Sequence, residues 1–309
     1  MAVRLDGPGP VGVPALFPAV VAGVGSPGRG PAPGADVLLT EIPDPPAPWI
    51  HVPDSGAAVE FLAERVEAFP LAAVALVQLL RLGAGRSADE GLALESLVYS
   101  TLQAGPEFKA WRAARAAPLS GAGTGDSPVV VERRGQRLKL TLNRPEVHNA
   151  YNRAMRDALC EALSVAALDT GLEVELAGRG PSFCSGGDLT EFGTAPDPAT
   201  SHLVRTGRSP ARLLAGLAAR VTANIHGACA GSGIELPAFA GAVRAGPDTR
   251  IWLPELSMGL IPGAGGTVSL AGRIGRHRTA WLALSGRPID AITAHRWGLV
   301  DELSDPQGQ

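Results

Sequence analysis

The sequence predicts an α/β fold carrying an all-helical segment on its N-terminal side. Three observations predict it: apolar residues between Asp54 and Arg115 recur at three- and four-residue steps, residues 117–128 have linker composition, and beyond them short alternating runs interchange with helical ones. At 309 residues and 45% hydrophobic, the chain can bury a sizeable core as one large domain or two ordinary ones. Its 27 Lys and Arg against 30 Asp and Glu give a formal charge of −3 without a basic run, so nucleic acid is not an expected partner. The cysteines Cys160, Cys184 and Cys229 form no C-x-x-C or His-spaced pattern, which predicts a reducing cytoplasm and no structural metal.

Residues 1–48 are dense in Pro and Gly without sustained period, the composition of a loosely packed leader. The run VGVPALFPAVVAGVG after Arg4 holds two prolines and follows a single positive charge, so it is not read as an export signal. Residues 49–116 form the helical segment. Asp54 or Ser55 caps a helix carrying Val59, Leu62, Val66 and Phe69, and a second helix follows Pro70. Its run LAAVALVQLL (71–80) is about half a membrane span and reads as a buried helix, so no membrane association is expected. Ser87 and Glu90 have capping-box spacing and open a helix with Leu94, Leu97, Val98 and Leu102 on one face. Gly105-Pro106 ends it and starts another through Trp111.

The linker at 117–128 precedes the region 129–309, where VVVERRGQRLKLTLN reads as a hairpin burying Leu138, Leu140 and Leu142 on one face. A helix from about Asn152 to Leu168 then buries Met155, Leu159, Leu163 and Ala166 and leads to the strand LEVEL (172–176).

Four stretches carry chemistry together: LNRPEVHNAYN (142–152), FCSGGDL (183–189), GACAGSGIEL (227–236) and LPELSMGLIPGAGGT (253–267). In their order and spacing, from about Val129 to Leu303, the chain resembles the crotonase (enoyl-CoA hydratase/isomerase) superfamily. That resemblance implies a ββα spiral core binding an acyl-CoA. An acyl-CoA reacting at its α or β carbon builds negative charge on the thioester oxygen, so fixed N–H donors are needed there. Gly187, just before Asp188, matches the family's first donor, and Ser232, three before Glu235, matches the second, where many relatives have Gly. A helix after Gly233 would aim further amides at the same place. Glu235 and Glu255 match the family's acid/base residues, and the presence of both implies hydration of a double bond. The turn holding Val147 and Ala150 resembles the one that helps hold the CoA nucleotide, while Gly187, Asp188, Leu189 and Thr190 fall where relatives line the pantetheine and acyl path.

Each residue also has a plainer reading. Glu235 alone could be a first-turn acid and Glu255 a strand-end charge, and their pairing favours catalysis. Asp188 could cap its own turn, and His226 reads as a hydrogen-bonded structural histidine. Cys184 and Cys229 read as inert packing. Ala230 and Ile234 flank Ser232 where a nucleophile elbow needs glycines, and Val268 stands where a dinucleotide fingerprint needs its third glycine. No metal or redox cofactor is therefore expected, coenzyme A being part of the substrate. The resemblance further implies a cytoplasmic homo-oligomer, a trimer or dimer of trimers. Isomerase, hydrolase or C–C lyase chemistry on an acyl-CoA, and a non-catalytic binding protein of the same shape, are the alternatives.

The family pattern ordinarily continues past GLVD into helices, whereas here helices with that cadence precede the linker. The expectation is a circular permutation, with residues 49–116 standing in for the usual C-terminal helices and the linker joining the old ends.

Overall fold

The computed structural model describes residues 2–5 (backbone only), 13–27, 34–115 and 127–304, so most of the expected linker lies outside the described residues. Among those residues the strands form three sheets. The first is parallel, in the order β1 (Ala2–Leu5), β2 (Val20–Val24), β3 (Val37–Thr40), β4 (Ile50–His51). The described residues 13–27 and 34–48 thus depart from the reading of residues 1–48 as a loosely packed leader: Val20, Val21, Val37, Leu38 and Leu39 are buried. Strands buried on both faces are apolar throughout and show no alternation, so no period betrayed them. Asp36, also buried, accepts from Val21 N (2.9 Å) and pairs with Arg81 (2.5 Å), fastening this sheet to the helices that follow.

Those helices are α1 (Ser55–Ala68), α2 (Pro70–Leu82), α3 (Ala88–Gln103) and α4 (Pro106–Ala113). Their starts are where the caps place them. Asp54 Oδ1 accepts from Ala57 N, Ser87 and Glu90 form a reciprocal capping box, and Pro70 and Pro106 occupy first turns. The inward face of α3 differs from the expected one: Glu95, Ser96, Tyr99, Ser100 and Leu102 are buried, Leu94 and Val98 only partly, and Leu97 is half exposed. The helix is turned so that polar side chains face a cavity, and a hydrophobic period cannot show that orientation.

The hairpin β5 (Val129–Arg134) and β6 (Arg137–Leu142) forms as expected, with Leu138, Leu140 and Leu142 buried. Next come α5 (Arg153–Leu168), capped by Asn152, and β7 (Glu173–Gly178), which pairs parallel with β6. After α6 (Pro198–Gly207) and α7 (Pro210–Leu217), the sheet grows through β8 (Val221–Ile225), and β9 (Ala228–Ala230) leads into the short α8 (Ser232–Glu235). The remaining elements are β10 (Ala242–Ala245), β11 (Arg250–Trp252), α9 (Gly266–Ser285, broken at Gly275), β12 (Ile289–Asp290), α10 (Ala291–Trp297) and β13 (Glu302–Leu303). The larger sheet runs β13-β10-β8-β7-β6-β5, parallel except for the hairpin, and the smaller runs β12-β11-β9. Helix α9 packs on α1, α2 and α3, so the helical segment and the spiral share one hydrophobic core. No helix among the described residues is long and apolar enough to cross a membrane.

Candidate active site

The stretch 142–152 folds around Asn149, whose amide donates to Arg179 O (2.8 Å) and Ser182 O (2.9 Å) from a left-handed backbone, φ 53°. Arg144 reaches from this turn to Ala150 O and to Asp188 Oδ2, the latter at 3.0 and 3.1 Å. Tyr151 N donates to Gly186 O and Asp188 N to Tyr151 O, both at 2.8 Å, so Gly187 is held between two anchored neighbours. The plainer reading of Asp188 is met: its other oxygen accepts from Thr190 N (3.1 Å) and Thr190 Oγ1 (2.7 Å). Burial pushes the Asp188 carboxyl up, but the Thr190 and Arg144 bonds outweigh it and hold the group below its ordinary value. His226 is likewise structural, its Nε2–H donating to Gly180 O at 2.8 Å.

The 183–187 loop is zipped to β9 by Cys184 N to Ala228 O (3.1 Å) and Ala230 N to Cys184 O (3.0 Å). Beyond β9 the chain turns at Gly231, at φ 48° and ψ −120°, a conformation only glycine adopts readily. Gly231 N donates to Trp252 O at 3.0 Å, which draws the end of β11, and with it Glu255, to the start of α8. Ser232 has no positive φ, so a side chain is tolerated where relatives carry glycine. Neither the Gly187 nor the Ser232 N–H donates to a protein acceptor among the described residues. The helix expected after Gly233 is a single turn, because Pro237 has no N–H to continue it and opens a 3₁₀ turn instead. Donors at this place are therefore local amides, not the end of a long dipole.

Glu235 and Glu255 are both buried, 2% and 7% exposed, and meet across Gly231. A Cβ at that glycine would lie 2.4 Å from Glu255 Oε1 and 3.7 Å from Glu235 Oε1. Their surroundings are unlike. Glu235 Oε2 accepts from Ala264 N and Gly266 N, both 2.8 Å, whereas Glu255 Oε2 is buried without a partner. The close approach needs glycine at 266, where a Cβ would come within 2.7 Å of Glu235 Cγ. Burial raises both carboxyls, that of Glu255 to about 8. The Glu255 charge also raises Glu235, and the two loop amides oppose that rise. Burial likewise pushes the Cys184 thiol up to about 11, which suits inert packing.

A cavity of about 460 Å³ opens beside these groups, lined by Gly187, Asp188, Ser232, Glu235 and Glu255 together with side chains from α3, α5, α6 and α7. Val147, Ala150, Leu189 and Thr190 lie outside its lining. Glu95, Tyr99, Phe192 and Arg205 line it without having been singled out in the sequence. Glu95, Tyr99 and Gln103, four apart, form a polar stripe on α3 that a helical-wheel reading of polar residues would have found.

A spiral of parallel strands and helices with paired buried glutamates beside glycine-rich loops defines a crotonase-type enzyme. The family model for enoyl-CoA hydratase/isomerase matches residues 133–308, and the chain belongs to that family. It is 36% identical over 178 residues to 2,3-dehydroadipyl-CoA hydratase of Escherichia coli, covering 57% of this chain and 69% of that one. It is 34% identical over 175 residues to 1,2-epoxyphenylacetyl-CoA isomerase of the same organism, covering 55% and 67%. The enoyl-CoA hydratase structure from Thermoplasma volcanium aligns with a TM-score of 0.52 at 33% identity over 59% of this chain and 73% of that chain. The one from Mycobacterium smegmatis aligns at 0.54 and 30%, over 59% and 72%. The chain thus spans about two thirds of the length of each of these two curated relatives.

Proposed function

We propose that this enzyme hydrates the α,β double bond of an acyl-CoA. The unlike hydrogen bonding of two buried, adjacent glutamates carries the reading, because hydration needs one carboxylate to take a proton from water and one carboxylic acid to give a proton to the α carbon. Two carboxylates crowded together in a dry site do not both ionise readily, and hydrogen bonding decides which holds the charge. Glu235, with two amides on one oxygen, is the ionised base. Glu255, whose Oε2 has no donor, keeps the proton, since an unsolvated carboxylate oxygen there is costly.

The thioester oxygen would sit between the Gly187 and Ser232 N–H groups, which have no protein acceptor to give up among the described residues. Water, activated by Glu235, attacks the β carbon and charge moves to that oxygen. Collapse of the enolate takes the Glu255 proton onto the α carbon, leaving a 3-hydroxyacyl-CoA, a protonated Glu235 and an ionised Glu255; passage of that proton from Glu235 to Glu255 restores the starting state. Loss of the enoyl chromophore on mixing with short and aromatic enoyl-CoAs is the direct assay. Double-bond migration without added water would replace this reading by isomerisation.

The same assignment sets the pH dependence. Because Glu255 acts protonated and is raised to about 8, turnover should fall as pH rises through about 8. Residual turnover in Glu255→Gln should lack the alkaline limb. A parent-like alkaline limb in that variant would remove Glu255 as the acid.

We also infer that α1–α4 stand where the family's C-terminal helices ordinarily complete the pocket. The packing of α3 on α9 and its contribution to the cavity wall support that reading.

A further inference from the structure

Helix α3 carries a third buried carboxylate to the cavity, Glu95, 2% exposed and outside the residues 133–308 that the family model matches. Its Oε1 accepts from Gly265 N at 2.7 Å, and its Oε2 accepts from Thr267 N at 2.9 Å and Thr267 Oγ1 at 2.6 Å. Glu235 takes the alternate amides of the same loop, Ala264 N and Gly266 N. Successive N–H groups at 264–267 thus donate in turn to two carboxylates, so the loop is a bridge whose position depends on both.

Glu95 accepts three hydrogen bonds and donates none. Such a set suits a carboxylate; burial raises the group to about 7, and the Thr267 and Gly265 bonds oppose that rise. Without these bonds the loop would be free to rotate, carrying the two donors of Glu235 with it. We propose that Glu95 is a positioning residue for Glu235, so that the helical segment supplies part of the active-site machinery as well as core. The proposal rests on the reading of Glu235 as the base.

Glu95→Gln replaces one acceptor oxygen by an amide donor facing a donor, and is nearly the same size. The folded variant should lose about 10²-fold in kcat, the scale of a small misplacement, with KM held within about twofold. A purely structural residue would instead lower the melting temperature and leave kcat per folded molecule intact. In a Glu235→Gln background the same change should cost less than about threefold, because there is no base left to position. Glu95→Asp should recover part of the lost kcat.

Should Glu95→Gln fail to fold, Thr267→Val removes only the hydroxyl donor and should lower kcat by about threefold to tenfold, the loss of one hydrogen bond. Parent-like kcat in the folded Glu95→Gln or Thr267→Val variant, or equal losses from Glu95→Gln in both backgrounds, would overturn the proposal. If Glu235→Gln itself retains parent kcat, the reading of Glu235 fails and takes this proposal with it. If Glu235→Gln loses kcat while folded Glu95→Gln keeps parent kcat, the positioning role alone fails.

Discussion

Glu235→Gln is expected to lower kcat for enoyl-CoA hydration by about 10²–10⁴-fold while the protein still binds the thioester, and Glu255→Gln to lose a comparable factor. Both substitutions conserve volume, so the rate should fall without loss of the fold. The amide side chain of Glu235→Gln can keep both loop bonds, because a single carbonyl oxygen accepts from Ala264 N and Gly266 N in place of Oε2. What it cannot do is take a proton from water. The amide of Glu255→Gln cannot give one to carbon, while the buried position it occupies already lacks a partner on one oxygen. The double variant should be hardly slower than either single one, since groups that act in one transition state do not contribute additively. Steady-state kinetics alongside calorimetric binding of a saturated acyl-CoA checks all three. A variant with parent kcat removes its residue from the mechanism, and loss of binding with the fold intact would assign that residue to substrate recognition.

Removing residues 1–116 is expected to leave an insoluble or unfolded remainder. The cut strips α1, α2 and α3 from α9 and deletes Leu62, Val66, Leu76, Val77 and Leu80 from the shared core. Each such side chain contributes about 1.5–3 kcal/mol when buried. Together they match or exceed the roughly 5–15 kcal/mol by which a whole protein is stable. The cut also deletes Glu95 and one wall of the cavity. Size-exclusion chromatography and circular dichroism of the truncated protein provide the measurement. A soluble, hydrating remainder would refute the view that these helices complete the family fold.

Much of the architecture was legible because its signals are local. Asp54, Ser87, Asn152 and the two helix-opening prolines act within one turn of themselves, and each helix begins where they put it. The β5–β6 hairpin was legible for the same reason, since a side-chain alternation reports a face directly. The parallel strands β2 and β3 were not, because burial on both faces erases the alternation. Nor was the inward face of α3, where Leu97 ended half exposed and Glu95 buried.

By itself the sequence determined the family, the helix starts, the hairpin and the identity of Glu235, Glu255, Gly187 and Ser232 as residues to follow, all of them properties of types and spacings along one chain. Only the tertiary structure decided that Gly231 brings the two glutamates together, that one oxygen of Glu255 is left bare, and that Glu95 reaches the 264–267 loop from 170 residues away. The physical reason is that hydrogen-bond geometry and desolvation depend on what lies within a few ångströms in space. Spacing in sequence does not encode them until the chain has closed on itself.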